Sequence, residues 1–187
     1  MRRLVAFENV TLDGYFAATD GDIGWAHGAP DPEFDAFVAD NASGGGQLLL
    51  GRKTYELMAG YWPTSLASQQ APIVAERMNH LPKVVFSRTM DTVSWSNTKL
   101  VKGHLPAAIR RMKNEPGPGM AILGSGSLVS QLAQEGLIDE YQLVVNPVVL
   151  GDGRALFDGI TARLGLKLTG SRVFRNGRVF LCYESVA

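Results

Sequence analysis

The chain has 187 residues, 45% hydrophobic and 19% charged, enough to bury roughly 70% of its unfolded surface and too apolar for a disordered tail. Eighteen Lys and Arg balance eighteen Asp and Glu, so no overall basic field draws in polyanions, and nucleic acid is set aside as a partner. A single cysteine, Cys182, excludes an intrachain disulfide scaffold and a thiolate metal cluster, and fits a reducing compartment.

From the N-terminus, Arg2 and Arg3 precede an apolar run at residues 4–7. Glu8 and Asn9 interrupt it before a signal-peptide core can form, so a cytoplasmic protein is expected. No stretch reaches the ~20 consecutive apolar residues of a membrane helix. Residues 4–7 read as the first buried strand, with 47–50, 84–86, 121–123 and 143–149 as later ones. Asp31, Pro32 and Glu33 supply an N-cap, a first-turn proline and early negative charge, predicting a helix over about 32–41. Leu105, Ile109 and Met112, and then Leu128 and Leu132, recur at helical spacing. Near the end, residues 172–175 and 178–183 flank Asn176-Gly177, which predicts an antiparallel hairpin closed by a type I′ turn with positive φ at both central residues. Gly44-Gly45-Gly46 and the Pro/Gly stretch at 115–119 each directly precede a strand, so they read as turns within one domain spanning 1–187. The pattern is α/β: a mostly parallel central sheet flanked by helices, finished by an antiparallel C-terminal hairpin.

Three turns, each at the C-terminal end of an expected parallel strand, suit phosphate. Gly51-Arg52-Lys53-Thr54 combines a close backbone approach with two cations and the free N–H groups of a first helical turn. Ser87-Arg88-Thr89 offers a planar guanidinium between two hydroxyls, suited to a 2′-phosphate. Gly124-Ser125-Gly126-Ser127-Leu128 can cradle a pyrophosphate, although it matches neither the dinucleotide fingerprint nor a Walker loop. Each alone equally suits an ordinary helix start or polar loop. All three follow a parallel strand, the edge where open α/β sheets bind ligands, and a dinucleotide with three phosphates would engage them all. His27, His80 and His104 are scattered, so no metal site is expected. Ser125 lacks the Gly-x-Ser-x-Gly frame, which argues against acyl transfer.

Taken in order, Val10-Thr11-Leu12-Asp13-Gly14-Tyr15, Leu50-Gly51-Arg52-Lys53-Thr54-Tyr55, Val85-Phe86-Ser87-Arg88, Leu123-Gly124-Ser125-Gly126-Ser127, Leu137-Ile138-Asp139-Glu140-Tyr141 and Pro147-Val148-Val149-Leu150-Gly151-Asp152-Gly153 carry a resemblance spanning nearly the whole chain. The chain resembles the dihydrofolate reductase-like superfamily, most closely the reductase domain at the C-terminus of bifunctional riboflavin-biosynthesis deaminase-reductases. The resemblance implies an NADPH-dependent reductase, with the three turns at the cofactor and a ribosyl-aminopyrimidine or, alternatively, a pterin or folate as substrate. A catalytically idle NADPH-binding protein is the reading from a different class. No zinc deaminase ligand set is present, so reduction is the activity to expect. Hydride transfer also needs a proton for the reduced heteroatom. Asp13, in the Leu-Asp-Gly context of the resemblance, and Asp35, on the helix before the Gly51 strand, are the candidate catalytic acids, and Trp62 is a candidate pocket wall. Each also has a structural reading, as turn acid, helix-start acid and core aromatic. Relatives of this kind are commonly dimers, so a homodimer is expected.

Overall fold

The computed structural model describes residues 1–43 and 46–186; Gly44 and Gly45 of the glycine run lie outside them. In chain order the elements are β1 (Leu4–Thr11), β2 (Tyr15–Ala17), α1 (Pro32–Ser43), β3 (Gln47–Gly51), α2 (Arg52–Tyr61), α3 (Ser65–Gln70), α4 (Pro72–His80), β4 (Lys83–Phe86), β5 (Thr98–Val101), α5 (Leu105–Asn114), β6 (Met120–Leu123), α6 (Gly126–Gln134), β7 (Glu140–Asn146), β8 (Arg154–Ala155), β9 (Gly165–Val173) and β10 (Val179–Val186). Eight strands form one sheet in the order β5-β4-β3-β6-β1-β7-β10-β9, and β2 and β8 form a separate two-stranded ribbon. The six strands from β5 to β7 run parallel, and β10 and β9 add antiparallel pairings. This is the expected mostly parallel α/β sheet with an antiparallel end.

Strand periodicity explains why both faces are covered. In β3, Leu48 and Leu50 point to one face, where they join Tyr55, Met78, Val85 and Trp95. Leu49 points to the other, where it joins Ile109, Ile122, Val129 and Leu132 beneath α5 and α6. The turn into α1 is tied to the far hairpin by one carboxylate. Asp31 Oδ1 accepts the N–H groups of Glu33 (2.9 Å) and Phe34 (3.3 Å), while Oδ2 accepts the N–H of Asn176 (3.1 Å). Phe37 then packs on Phe180 at 4.8 Å between ring centroids, and Phe34 edge-on to Phe174 at 5.1 Å.

Several boundaries differ from expectation for identifiable reasons. β1 runs on through Glu8 and Asn9 to Thr11, because Glu8 turns inward and pairs instead of facing water. β7 lies earlier than residues 143–149 and stops at Asn146, since Pro147 has no N–H to donate to a ladder. The hairpin is not closed by a type I′ turn. Phe174 N–H donates to the Arg178 carbonyl (2.9 Å) and Gly177 N–H to the Phe174 carbonyl (3.1 Å), leaving a three-residue loop. Only Gly177 (φ +84°) takes a positive φ there, so the loop is a type I turn followed by a glycine bulge.

The buried side chain of Glu8 is the most costly feature of the core. It shares a face of β1 with Leu4, Ala6 and Val10, is 1% exposed, and accepts the Ser125 N–H at 3.1 Å. Burial pushes its carboxyl up to about 8, with the Ser125 hydrogen bond opposing the shift. The folded protein therefore holds a proton here that the unfolded chain, with a glutamate value of about 4.3, releases. Its stabilising contribution is complete at acid pH and is lost as pH rises toward 8. Chemical denaturation across pH 5 to 8 is expected to show stability falling by up to about 1.4 kcal/mol per pH unit relative to Glu8→Gln. Equal slopes in the two proteins would mean that Glu8 is ionised in the fold.

Candidate functional site

A cleft of about 1220 Å³ opens at the carboxyl edge of the parallel strands. Four of its lining segments leave adjacent strands: Gly51 to Thr54 after β3, Phe86 to Thr89 after β4, Gly103 to Pro106 after β5, and Gly124 to Leu128 after β6. The structure thus brings together Gly51, Arg52, Lys53, Thr54, Ser87, Arg88, Thr89, Gly124, Ser125, Gly126, Ser127 and Leu128 around one cavity.

Two of these turns are locked to each other by hydroxyls. The Gly51 N–H donates to Ser125 Oγ (2.9 Å), Ser125 Oγ donates to Thr54 Oγ1 (3.0 Å), and Thr54 Oγ1 donates to the Gly124 carbonyl (2.7 Å). Ser125 is 4% exposed. Its hydroxyl and that of Thr54 are therefore fasteners between the turns and are not free for a ligand. The fastened pieces are the N-termini of α2 and α6, neither of which has a side-chain cap, and the residues of both first turns line the cleft. Gly126 must be glycine: a Cβ there would overlap the ring of Phe16, which lies on this turn from β2.

Charge in the cleft is predominantly positive, with Arg52, Lys53, Arg88 and Arg154 set against Glu135 and Asp158. Arg52 is partly neutralised by Glu56 on the same helix (3.2 Å) and Glu135 by Arg110. Among the described residues, no ion pair involves Lys53, Arg88 or Arg154. Ser87 Oγ accepts the N–H groups of Thr89 (3.2 Å) and Met90 (3.1 Å), which fixes the turn that presents Arg88.

Asp13, Asp35 and Trp62 do not line this cleft. Asp13 Oδ1 accepts the Thr11 hydroxyl (2.6 Å), and Oδ2 accepts the Gly151 N–H (2.8 Å) and the Leu150 N–H (3.2 Å). The Thr11 hydroxyl and these N–H groups hold its carboxyl below the usual range, so it clamps the loop after β7 and carries no proton at neutral pH. Asp35 is exposed on α1, where its charge acts on the buried guanidinium of Arg178. Trp62, the half-buried C-cap of α2, packs against the core edge-on to Tyr61, and its carbonyl accepts Asn79 Nδ2 (3.0 Å). The sequence reading missed the wall at Gly103 and His104, because the short polar strand β5 was not recognised. It also missed Phe16 and Arg154, which the ribbon brings in from distant sequence.

Comparison with known proteins gives the family and the fold. The model of the RibD C-terminal domain matches residues 2–180. The uncharacterised protein YyaP of Bacillus subtilis (strain 168) is 29% identical over 183 residues, covering 98% of this chain and 95% of YyaP. A solved chain from Shewanella sp. PV-4, described as a riboflavin biosynthesis protein, superimposes with a TM-score of 0.76 at 24% identity, covering 99% of both chains. Dihydrofolate reductase from Enterococcus faecalis, solved with NADP(H), has a TM-score of 0.65 at 13% identity, covering 99% of this chain and 97% of its own. The fold is dihydrofolate reductase-like, and the chain belongs to the RibD C-terminal domain family.

Proposed function

We propose that the chain is an NADPH-dependent reductase acting on a small heterocyclic or ribosyl-pyrimidine substrate of the kind reduced in riboflavin biosynthesis. One observation carries this reading: two uncapped helix N-termini and three cationic side chains that make no ion pair among the described residues converge on a single cleft large enough for a dinucleotide. The donor set fits the cofactor's charges. The N–H groups of Gly126 and Ser127 suit a pyrophosphate, and the Arg88 guanidinium, held by the Ser87 turn, suits a 2′-phosphate. When bound, NADPH supplies the hydride. The chain's own contribution is to orient the dinucleotide through these turns and, through Phe16 lying on Gly126, to exclude water from the glycine turn.

A second reading, a catalytically idle NADPH-binding protein, draws on the placement of the acids. Asp13 is held ionised as a clamp and Asp35 lies outside the cleft. Turnover separates the two: bound NADPH that is oxidised by an aminopyrimidine ribosyl phosphate, or by dihydrofolate, supports a reductase. Stable binding with no oxidation across a panel of carbonyl and imine compounds supports the idle protein.

Fluorescence titration is expected to show saturable NADPH binding that Arg88→Ala weakens about tenfold, with NADH little changed. An equal loss for both cofactors would contradict the 2′-phosphate assignment. Ser125→Ala is expected to lower stability by about 1–2 kcal/mol, because the Gly51 N–H loses its acceptor. It should also weaken NADPH several-fold, although this hydroxyl does not face the ligand. Unchanged affinity in Ser125→Ala would show that the lock between the turns does not shape the site.

A further inference from the structure

Part of the cleft lining comes from the ribbon, which contributes Phe16, Arg154 and Ala155. Strand β8 pairs with β2 through Tyr15 with Ala155 and Ala17 with Arg154, and Arg154 lines the cavity. Two contacts register this ribbon against the cleft. Phe16 of β2 lies on Gly126 at the start of α6, and Asp13, just before β2, holds the Leu150 and Gly151 N–H groups just before β8. Arg154 is exposed, and among the described residues it makes no ion pair. Arg154 shares the cleft with Asp158 and Glu135 but is ion-paired to neither, and Glu135 is taken by Arg110, so its guanidinium is available to an anion bound in the cavity that also holds the uncapped start of α6.

We propose that Arg154 is a phosphate-binding residue of the cleft, carried by the β2–β8 ribbon and facing the N-terminus of α6, with Asp13 as the residue that positions it. This rests on the cleft being the ligand site proposed above. The phosphoryl group has two possible sources, the pyrophosphate of the dinucleotide or a phosphate ester on the second substrate. Both match the guanidinium's planar fork, and in either case the arm bridges the ligand to the ribbon. The role given to Asp13 accounts for a carboxylate that accepts three hydrogen bonds and carries no proton.

Wild type, Arg154→Ala, Arg154→Lys and Asp13→Ala should be titrated with NADPH and, separately, with inorganic phosphate, both alone and with NADPH at saturation. A roughly tenfold weaker NADPH affinity in Arg154→Ala, partly restored in Arg154→Lys, assigns the arm to the pyrophosphate. Unchanged NADPH affinity with loss of phosphate binding to the NADPH-loaded protein assigns it to the substrate's phosphate. In both cases Asp13→Ala should reproduce part of the loss and add nothing further when combined with Arg154→Ala; full additivity would remove Asp13 from the proposal. Affinity for both probes unaltered in Arg154→Ala overturns the assignment. If wild type binds no NADPH, the reductase reading fails by itself, and Arg154-dependent phosphate binding still decides this one.

Discussion

The arrangement depends on a short relay of hydroxyls. Helix α2 follows β3 without an intervening residue and α6 follows β6 after two, so each helix start sits at the end of its strand. The Ser125 hydroxyl accepts the Gly51 N–H and donates to Thr54, and Thr54 donates to the Gly124 carbonyl, so each turn satisfies polar groups of the other. The helix starts themselves carry no side-chain cap, and their residues line one cleft. An anion site built this way needs few charged side chains, since its rigidity comes from buried hydrogen bonds and its attraction from aligned peptide dipoles.

Beneath the relay lies the cost of building it. Glu8 places a carboxyl in the core to receive the Ser125 N–H, and burial keeps that carboxyl protonated at neutral pH. An ionised carboxylate there would sit under the Gly124 turn and oppose the phosphate proposed to bind at it. Two other acids are likewise committed to backbone N–H groups. Asp31 joins the start of α1 to the hairpin, and Asp13 joins the start of the ribbon to the loop after β7. These three carboxyl groups tie separate segments together, and the charge lining the cleft is mainly cationic.

Much of this is legible in the sequence, and the failures have physical causes. The turns at Gly51 and Gly124 announce themselves because a buried apolar strand, a glycine and a helix start follow one another within a few residues, and the turn at Ser87 because a buried strand runs straight into two hydroxyls and a guanidinium. The turn at His104 does not, because Thr98 to Val101 is a short edge strand with a lysine in it. Asp13 reads as a catalytic acid because the Leu-Asp-Gly signature says where it stands and not what it holds; its partners are some 137 positions away. Asn176-Gly177 correctly marks a hairpin, yet the loop length depends on Asp31 holding the Asn176 N–H, a long-range contact. Ser125 and Thr54 were expected at the cleft, but their mutual hydrogen bond exists only once β3 and β6 are neighbours.

The central claim is that the starts of α2 and α6, fastened together, receive the phosphates of a reduced pyridine dinucleotide. A crystal structure with NADPH bound tests it most directly. The account predicts the pyrophosphate within hydrogen-bonding distance of the Gly126 and Ser127 N–H groups and the 2′-phosphate at Arg88. A dinucleotide seated elsewhere on the surface, or phosphates directed away from both helix starts, would contradict it.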